Sequence, residues 1–368
     1  MPPLAERLAQ RIARHGPMTV ADYMTAALTD PEQGYYATRD PLGRQGDFIT
    51  APEISQMFGE LIGLWCADVW RAMAAPDPVL LAELGPGRGT LLADALRAAR
   101  RLPAFAKALR LHLVEVSPQL RERQAAALAA FDLAAAPQWH DGLETLPEGP
   151  LLLIANEFFD ALPIRQFEKS PQGWSERLVA LDGNGNLCFG LAPPSPATAL
   201  LIPPAMRDAP DGAVAEISPA ALGLLRDIAR RLVRHGGAAL IIDYGAERPS
   251  GRPTLQAVRR HQPQAVLLRP GEADLTAHVD FGALAAEARA AGAAALGPVP
   301  QGAFLRAIGL EARAAALTRG ASDAQARDIA AAVERLTAPA LMGTLFQALA
   351  MTGTGLPSPA GFGDAQFA

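Results

Sequence analysis

Glu83, Leu84, Gly85, Pro86, Gly87, Arg88 and Gly89 place one carboxylate and three glycines at the end of an apolar run. Glycine leaves the backbone bare and free to take positive φ, so a zwitterionic ligand tail can approach the amides that open a following helix. A dinucleotide fingerprint reads Gly-x-Gly-x-x-Gly; here the third glycine comes one residue early and position 90 is Thr90. A carboxylate at position 83 would repel a pyrophosphate but attract an ammonium. These residues therefore favour S-adenosylmethionine, whose methionine tail carries such an ammonium. A tight turn in which glycine serves geometry alone is the competing reading.

Further carboxylates follow at matching places. Glu115 closes the next apolar run, where it could accept hydrogen bonds from both ribose hydroxyls, worth about 1.5 to 3 kcal/mol each at most. Asp141 and Gly142 would follow a third strand and meet the adenine amino group, although both are also common turn residues. A fourth run leads into Asn156, Glu157, Phe158, Phe159 and Asp160, at the carboxyl edge where open α/β sheets bind ligands. Methyl transfer is an in-line displacement at a sulfonium carbon, so it needs an oriented nucleophile at about 3 Å and exclusion of water, not a metal. If the acceptor is an arginine, Glu157 and Asp160 could hold its guanidinium, with Asp243 and Tyr244 as secondary candidates at the next strand end. Asn156 and Asp47 are grouped with the cofactor-binding residues. Asp160 could instead cap a turn, and Glu157 could face solvent. The six histidines show no metal-ligand spacing, and His278 reads as structural.

The elements that must position these groups are legible in outline. Short apolar runs at 79–84, 111–116 and 151–155 alternate with helical patterns, as buried parallel strands in βαβ units do. After Asp160 the alternation breaks into hairpin material at 174–189, turning at Asp182, Gly183, Asn184 and Gly185, and proline-rich sequence at 193–210. The sheet resumes at 238–244, with helices at 281–291 and 322–337 and a closing strand at 344–351. Thr19 with Asp22, and Thr50 with Glu53, have capping-box spacing. The irregular stretch 34–50, carrying Asp47 and Phe48, is expected to fold over the cofactor as a lid. The expected fold is α/β, a Rossmann-like class I adenosylmethionine-dependent methyltransferase core with a mostly parallel doubly wound sheet. Residues 1–75 form an N-terminal helical and lid extension, 76–160 and 236–352 a discontinuous core, and 161–235 an inserted substrate-binding subdomain.

Composition narrows the function classes. The 368 residues are 50% hydrophobic and 19% charged, yet charges, prolines or glycines interrupt every long apolar run, so nothing reads as membrane-spanning. A net charge of -5 offers no broad basic field for nucleic acid. Cys66 and Cys188 stand far apart, which supports neither a disulfide scaffold nor a zinc site. Leu4, Leu8 and Ile12 lie opposite Arg7, Arg11 and Arg14, but Glu6 and the lack of serine argue against a transit peptide. A bacterial cytoplasmic protein is expected.

The chain resembles the MidA-type proteins, whose mitochondrial members include a complex I assembly factor with protein-arginine methyltransferase activity. The likeness rests on Gly34-Tyr35-Tyr36, the block from Gly46 to Glu53, Phe58-Gly59-Glu60, the Glu83 to Thr90 turn, Val114 to Pro118, Asn156 to Pro163, Asp243-Tyr244-Gly245 and Asp274 to Asp280, with Leu341-Met342-Gly343 beyond. The resemblance implies an S-adenosyl-L-methionine site yielding S-adenosyl-L-homocysteine, and dimethylation of an arginine on a catalytic-core subunit of NADH:ubiquinone oxidoreductase. The expected partners are a protein substrate and a second copy of the chain as a homodimer. Two rivals stand beside this reading: a catalytically silent cofactor-binding assembly chaperone, and a nicotinamide oxidoreductase, which the glycine spacing disfavours.

Overall fold

In the computed structural model, which describes residues 2–38 and 50–363, the apolar runs become strands of one sheet that also takes in Gln138–His140 and Ala294–Pro300. They are β1 (Val79–Leu84), β2 (Leu109–Val114), β3 (Gln138–His140), β4 (Leu151–Asn156), β5 (Gly237–Ala246), β6 (Ala294–Pro300) and β7 (Phe346–Thr352). Their order across the sheet is β6-β7-β5-β4-β1-β2-β3. The five from β5 to β3 are parallel, while β7 runs antiparallel to both its neighbours. Strand order reverses between β1 and β4, the switch point where such sheets open a crevice. There Glu83 pairs with Ile154 and Leu84 with Ala155, so the turns leaving β1 and β4 emerge side by side.

Every residue of β1 and β4 is buried, which is why both are apolar except for Glu83 and Asn156. The helices Gln56–Ala72 and Thr90–Ala99 pack closely together. A Cβ built on Gly63 would lie 2.6 Å from the Ala95 Cα, so glycine there permits a backbone approach no larger residue allows. Met57, Phe58, Leu61, Ile62, Trp65 and Val69 recur at helical spacing and are all buried. Each contributes about 1.5 to 3 kcal/mol by leaving water. This sheet and its helices make up one unit, Ile49–Phe159, Leu224–Ala246 and Phe281–Ala368.

The second unit consists of Met1–Phe48, Asp160–Gly223 and Glu247–Asp280. The expected hairpin is present as Gly173–Leu181 paired with Leu187–Leu191, its turn held by Asp182 Oδ1 accepting from the Asn184 and Asn186 N–H groups at 2.8 and 2.9 Å. Leu4, Leu8, Ile12, Tyr23 and Met24 bury their side chains in a core that includes Val179, Ala257 and Leu275. That shared core joins the N-terminal helices to the 247–280 segment. The boundaries expected from sequence differ from this division: 50–75 belongs with the sheet unit, as does 224–235, and 247–280 lies in the second unit.

Local expectations also shift. Thr19 caps its helix through the Asp22 N–H at 3.0 Å, but Thr50 makes no side-chain cap bond. The helix after Thr50 stops at Ile54, and Ser55 caps the next one through the Met57 N–H at 3.2 Å. β2 ends at Val114 rather than position 116, leaving Glu115 just beyond the strand with its N–H donated to the His140 carbonyl at 3.0 Å. β6 has no counterpart among the expected elements; it carries Gly297, Pro298 and Pro300 and lies at the sheet edge, where proline is tolerated. Among the described residues no helix is long and apolar enough to cross a membrane.

Candidate functional site

The turn after β1 is built on positive φ: +59° at Gly85, +54° at Gly87 and +80° at Gly89, which directly precedes the helix Thr90–Ala99. A Cβ on Gly85 would sit 2.7 Å from the Phe158 Cδ2, so the turn and the segment after β4 close against each other only because position 85 has no side chain. Glu83 is 3% exposed, and its Oε2 has no hydrogen-bond partner among the described residues. Burial pushes its pKa up to about 8. The buried thiol of Cys66, with Glu83 beside it, is raised to about 12. An unpaired buried carboxyl oxygen beside a bare glycine turn fits the ammonium of an amino-acid tail.

Glu115, just past β2, is also buried, which raises its pKa. Its Oε1 accepts from the Ser117 N–H at 2.8 Å and its Oε2 from Gln124 Nε2 at 3.2 Å. Gln124 in turn donates to the Gly87 carbonyl at 2.8 Å and accepts from Trp139 Nε1 at 2.8 Å. This fully buried amide ties the glycine turn, Glu115 and β3 together, and the sequence reading missed it. The available signal was a polar residue at position 124 on the apolar face defined by Leu120 and Leu128, four residues to either side.

Asp141 is 82% exposed and pairs with Arg121 at 2.5 Å, while Arg121 Nε donates to the Glu115 carbonyl at 2.7 Å. Asp141, Gly142 and Leu143 line a cavity of about 510 Å³ together with Leu84, Val114 and Phe158. Val116, next to Glu115, is 61% exposed and offers an apolar surface beside that carboxylate. The buried His112 and His140 rings meet at 2.9 Å (Nδ1 to Nε2); desolvation pulls His112 down to about 4, which marks a neutral structural pair.

At the end of β4, Glu157 takes φ +51°, a left-handed conformation that costs a non-glycine residue on the order of 1 kcal/mol or more. Its N–H is donated to the Ile242 carbonyl at 2.8 Å. Its Oε1 accepts from the Ala51 N–H at 2.8 Å and from Asn156 Nδ2 at 3.2 Å. Burial raises its pKa to about 7, with these two bonds and the Arg335 charge opposing the rise. Asp243 is fully buried; its Oδ2 accepts from the Phe158 and Phe159 N–H groups at 3.1 and 2.9 Å, and its Oδ1 from the Tyr244 N–H at 2.8 Å. It fixes the backbone that follows Glu157. Glu53, expected to cap its own helix, accepts instead from Thr90 Oγ1 at 2.6 Å, tying that short helix to the glycine turn.

Glu83, Gly85, Gly87, Gly89, Glu115, Asn156, Glu157 and Asp243 thus gather at adjoining strand ends of one unit, with Asp141 and Gly142 after β3. Asp160 belongs to the other unit, where its carbonyl accepts from the Ala277 N–H at 3.0 Å. Its charge there faces Tyr36, whose hydroxyl donates to Asp274 Oδ1 at 2.9 Å. Asp47, like most of the expected lid, lies outside the described residues.

Residues 61–299 match the model of a family described as S-adenosyl-L-methionine-dependent methyltransferases. The mitochondrial protein arginine methyltransferase NDUFAF7 of Mus musculus is 40% identical, over 95% of this chain and 84% of its own length. Its Drosophila melanogaster homolog is 39% identical over 95% and 84%. A Burkholderia thailandensis methyl transferase solved with S-adenosyl-homocysteine bound is 31% identical and superposes with a TM-score of 0.84, covering 97% of this chain and 93% of that one.

Proposed function

Since the chain belongs to the S-adenosyl-L-methionine-dependent methyltransferase family, we propose that it transfers the cofactor's methyl group to an arginine side chain of a protein. The observation that carries this reading is Glu157: a partly buried carboxylate held in left-handed backbone at the switch point, beside the glycine turn. Strained backbone at such a place is retained for a group that must point in one direction. Bound S-adenosylmethionine supplies an electrophilic methyl on a sulfonium and leaves as S-adenosylhomocysteine. Glu83 pairs with the ammonium of its amino-acid tail, and the amides of the Gly85 to Gly89 turn receive the carboxylate end. Glu115 accepts from the ribose hydroxyls, Val116 covers the adenine, and Asp141 with Gly142 borders it. Glu157 holds the guanidinium and draws its positive charge away from the attacking nitrogen. Asp243 acts through the backbone of Phe158 and Phe159 to keep Glu157 in place.

The names of the relatives support an arginine acceptor, and the sequence resemblance extends the proposal to a core subunit of NADH:ubiquinone oxidoreductase. The test is methyl transfer from labelled S-adenosylmethionine to proteins of an extract from cells lacking this chain, followed by acid hydrolysis and amino-acid analysis. Labelled methylarginine is expected, reduced about 100-fold or more by Glu157→Gln. Cofactor binding without any labelled methylarginine would defeat the arginine reading, and no label in any residue would favour the silent chaperone.

A further inference from the structure

Asn156 is the last residue of β4 and only 8% exposed, yet its Oδ1 has no hydrogen-bond partner among the described residues. Its other amide atom is committed, because Nδ2 donates to Glu157 Oε1 at 3.2 Å. That oxygen already accepts the Ala51 N–H, so the amide cannot be turned over without setting oxygen against oxygen. The orientation leaves a carbonyl oxygen, able only to accept, buried beside the carboxylate. Buried acceptors left unsatisfied cost about 1 to 3 kcal/mol, and a group kept at that cost points to a ligand that carries an N–H.

Two unpartnered oxygens stand on this edge of the sheet, and their positions separate them. Side chains alternate along strands, so Glu83 follows Leu81 on its face and Asn156 follows Leu152 and Ile154; these three leucine and isoleucine residues share one core cluster. Glu83 and Asn156 therefore project to the same side. Glu83 is level with Ile154, whereas Asn156 lies two residues, roughly 6.6 Å, farther toward the carboxyl edge and adjoins Glu157. The inner oxygen suits the cofactor's ammonium. The outer one shares its level with the group assigned to the acceptor.

We propose that Asn156 is an acceptor-binding residue, whose Oδ1 takes one N–H of an arginine guanidinium while Glu157 holds another. This rests on the arginine reading given above and assigns Asn156 to the acceptor rather than to the cofactor. A guanidinium presents five N–H donors in a planar fork, so two neighbouring acceptors can grip it and still leave a nitrogen facing the methyl group. Charge explains why the second acceptor is an amide. One carboxylate and one guanidinium form a neutral buried pair, whereas a second carboxylate would leave an uncompensated negative charge there.

The test uses the full chain with Asn156→Ala and Asn156→Asp. Three quantities are read for each: melting temperature, S-adenosylhomocysteine affinity by calorimetry, and labelled methylarginine formed in the extract assay. For Asn156→Ala the expected result is cofactor affinity within about threefold of wild type and methylarginine formation reduced about 30-fold or more. Asn156→Asp keeps an acceptor oxygen but loses the Nδ2 donor, so it should retain at least about fivefold more activity than the alanine variant. Its pH profile should move upward, because a second carboxylate makes Glu157 harder to ionise. Equal losses in both variants with no shift in the pH profile would reduce Asn156 to a support for Glu157 and overturn the proposal. So would a tenfold loss of cofactor affinity in a variant that melts like wild type, which would return Asn156 to the cofactor site. A wild type that binds cofactor but makes no methylarginine would instead sink the arginine reading, and this assignment with it.

Discussion

If Glu83 receives the cofactor's ammonium, binding must be coupled to the loss of a proton. In the free protein burial holds this carboxyl at about 8, so at about pH 7 roughly nine-tenths of molecules carry it protonated. A cation placed against it favours the ionised form, and the proton is expelled. Titration with S-adenosylhomocysteine at about pH 7 should therefore release about 0.9 proton per site, read as a dependence of the apparent enthalpy on the buffer's ionisation enthalpy. Affinity should rise by up to about tenfold per pH unit between 6 and 7 and level off near 8. Glu83→Gln should bind more weakly and release almost no proton. Stability gives an independent reading with a definite sign. The folded state holds a proton at Glu83 that the unfolded chain gives up above about 4.5, so stability of the free protein falls as pH rises from about 4.5 to 8, by at most about 1.4 kcal/mol per unit. Glu83→Gln should flatten that part of the profile. Buffer-independent enthalpies for the wild type, with pH-independent affinity, would refute the pairing of Glu83 with the ammonium.

Three other substitutions probe the supports of the site. Gly85→Ala adds a Cβ 2.7 Å from Phe158 Cδ2 at φ +59°, so a melting temperature lower by several degrees and a loss of cofactor affinity of about 30-fold or more are expected by calorimetry. Gln124→Ala leaves the Trp139 N–H and the Gly87 carbonyl without this partner, and urea unfolding should show a loss of about 2 to 4 kcal/mol together with roughly tenfold weaker cofactor binding. Asp243→Asn disturbs the acceptor of the Phe158 and Phe159 N–H groups, so the turnover rate should fall about tenfold or more while cofactor affinity stays within about threefold, a split visible by pairing the extract assay with calorimetry.

What could be read in the sequence was whatever depends on local pattern. The strand carrying Glu83, the glycine turn and the Asp182 to Asn186 hairpin each announce themselves through a largely apolar run or through turn residues, and all three are present. Contacts distant in the chain were not legible. Nothing local says that Glu53 would accept from Thr90 rather than cap its own helix, or that Asp243 would spend its oxygens on the amides of Phe158 and Phe159. Asp160 follows Glu157 so closely that sequence reading joined them in one role, yet the chain passes between units at Phe159 and Asp160. The edge strand Ala294–Pro300 was hidden by its glycine and prolines, whose effect on an edge differs from their effect inside a sheet.

Glu115 offers the most direct test that these strand ends form the cofactor site. Calorimetric titration with S-adenosylmethionine and S-adenosylhomocysteine, on wild type and on Glu115→Ala, measures the ribose contacts assigned to it. Micromolar binding in the wild type, weakened about 30-fold or more in a variant of unchanged fold, is the predicted result, since each bond to an ionised group contributes about 1.5 to 3 kcal/mol. Equal affinity in the two proteins would contradict the assignment of this carboxylate and of the site built around it.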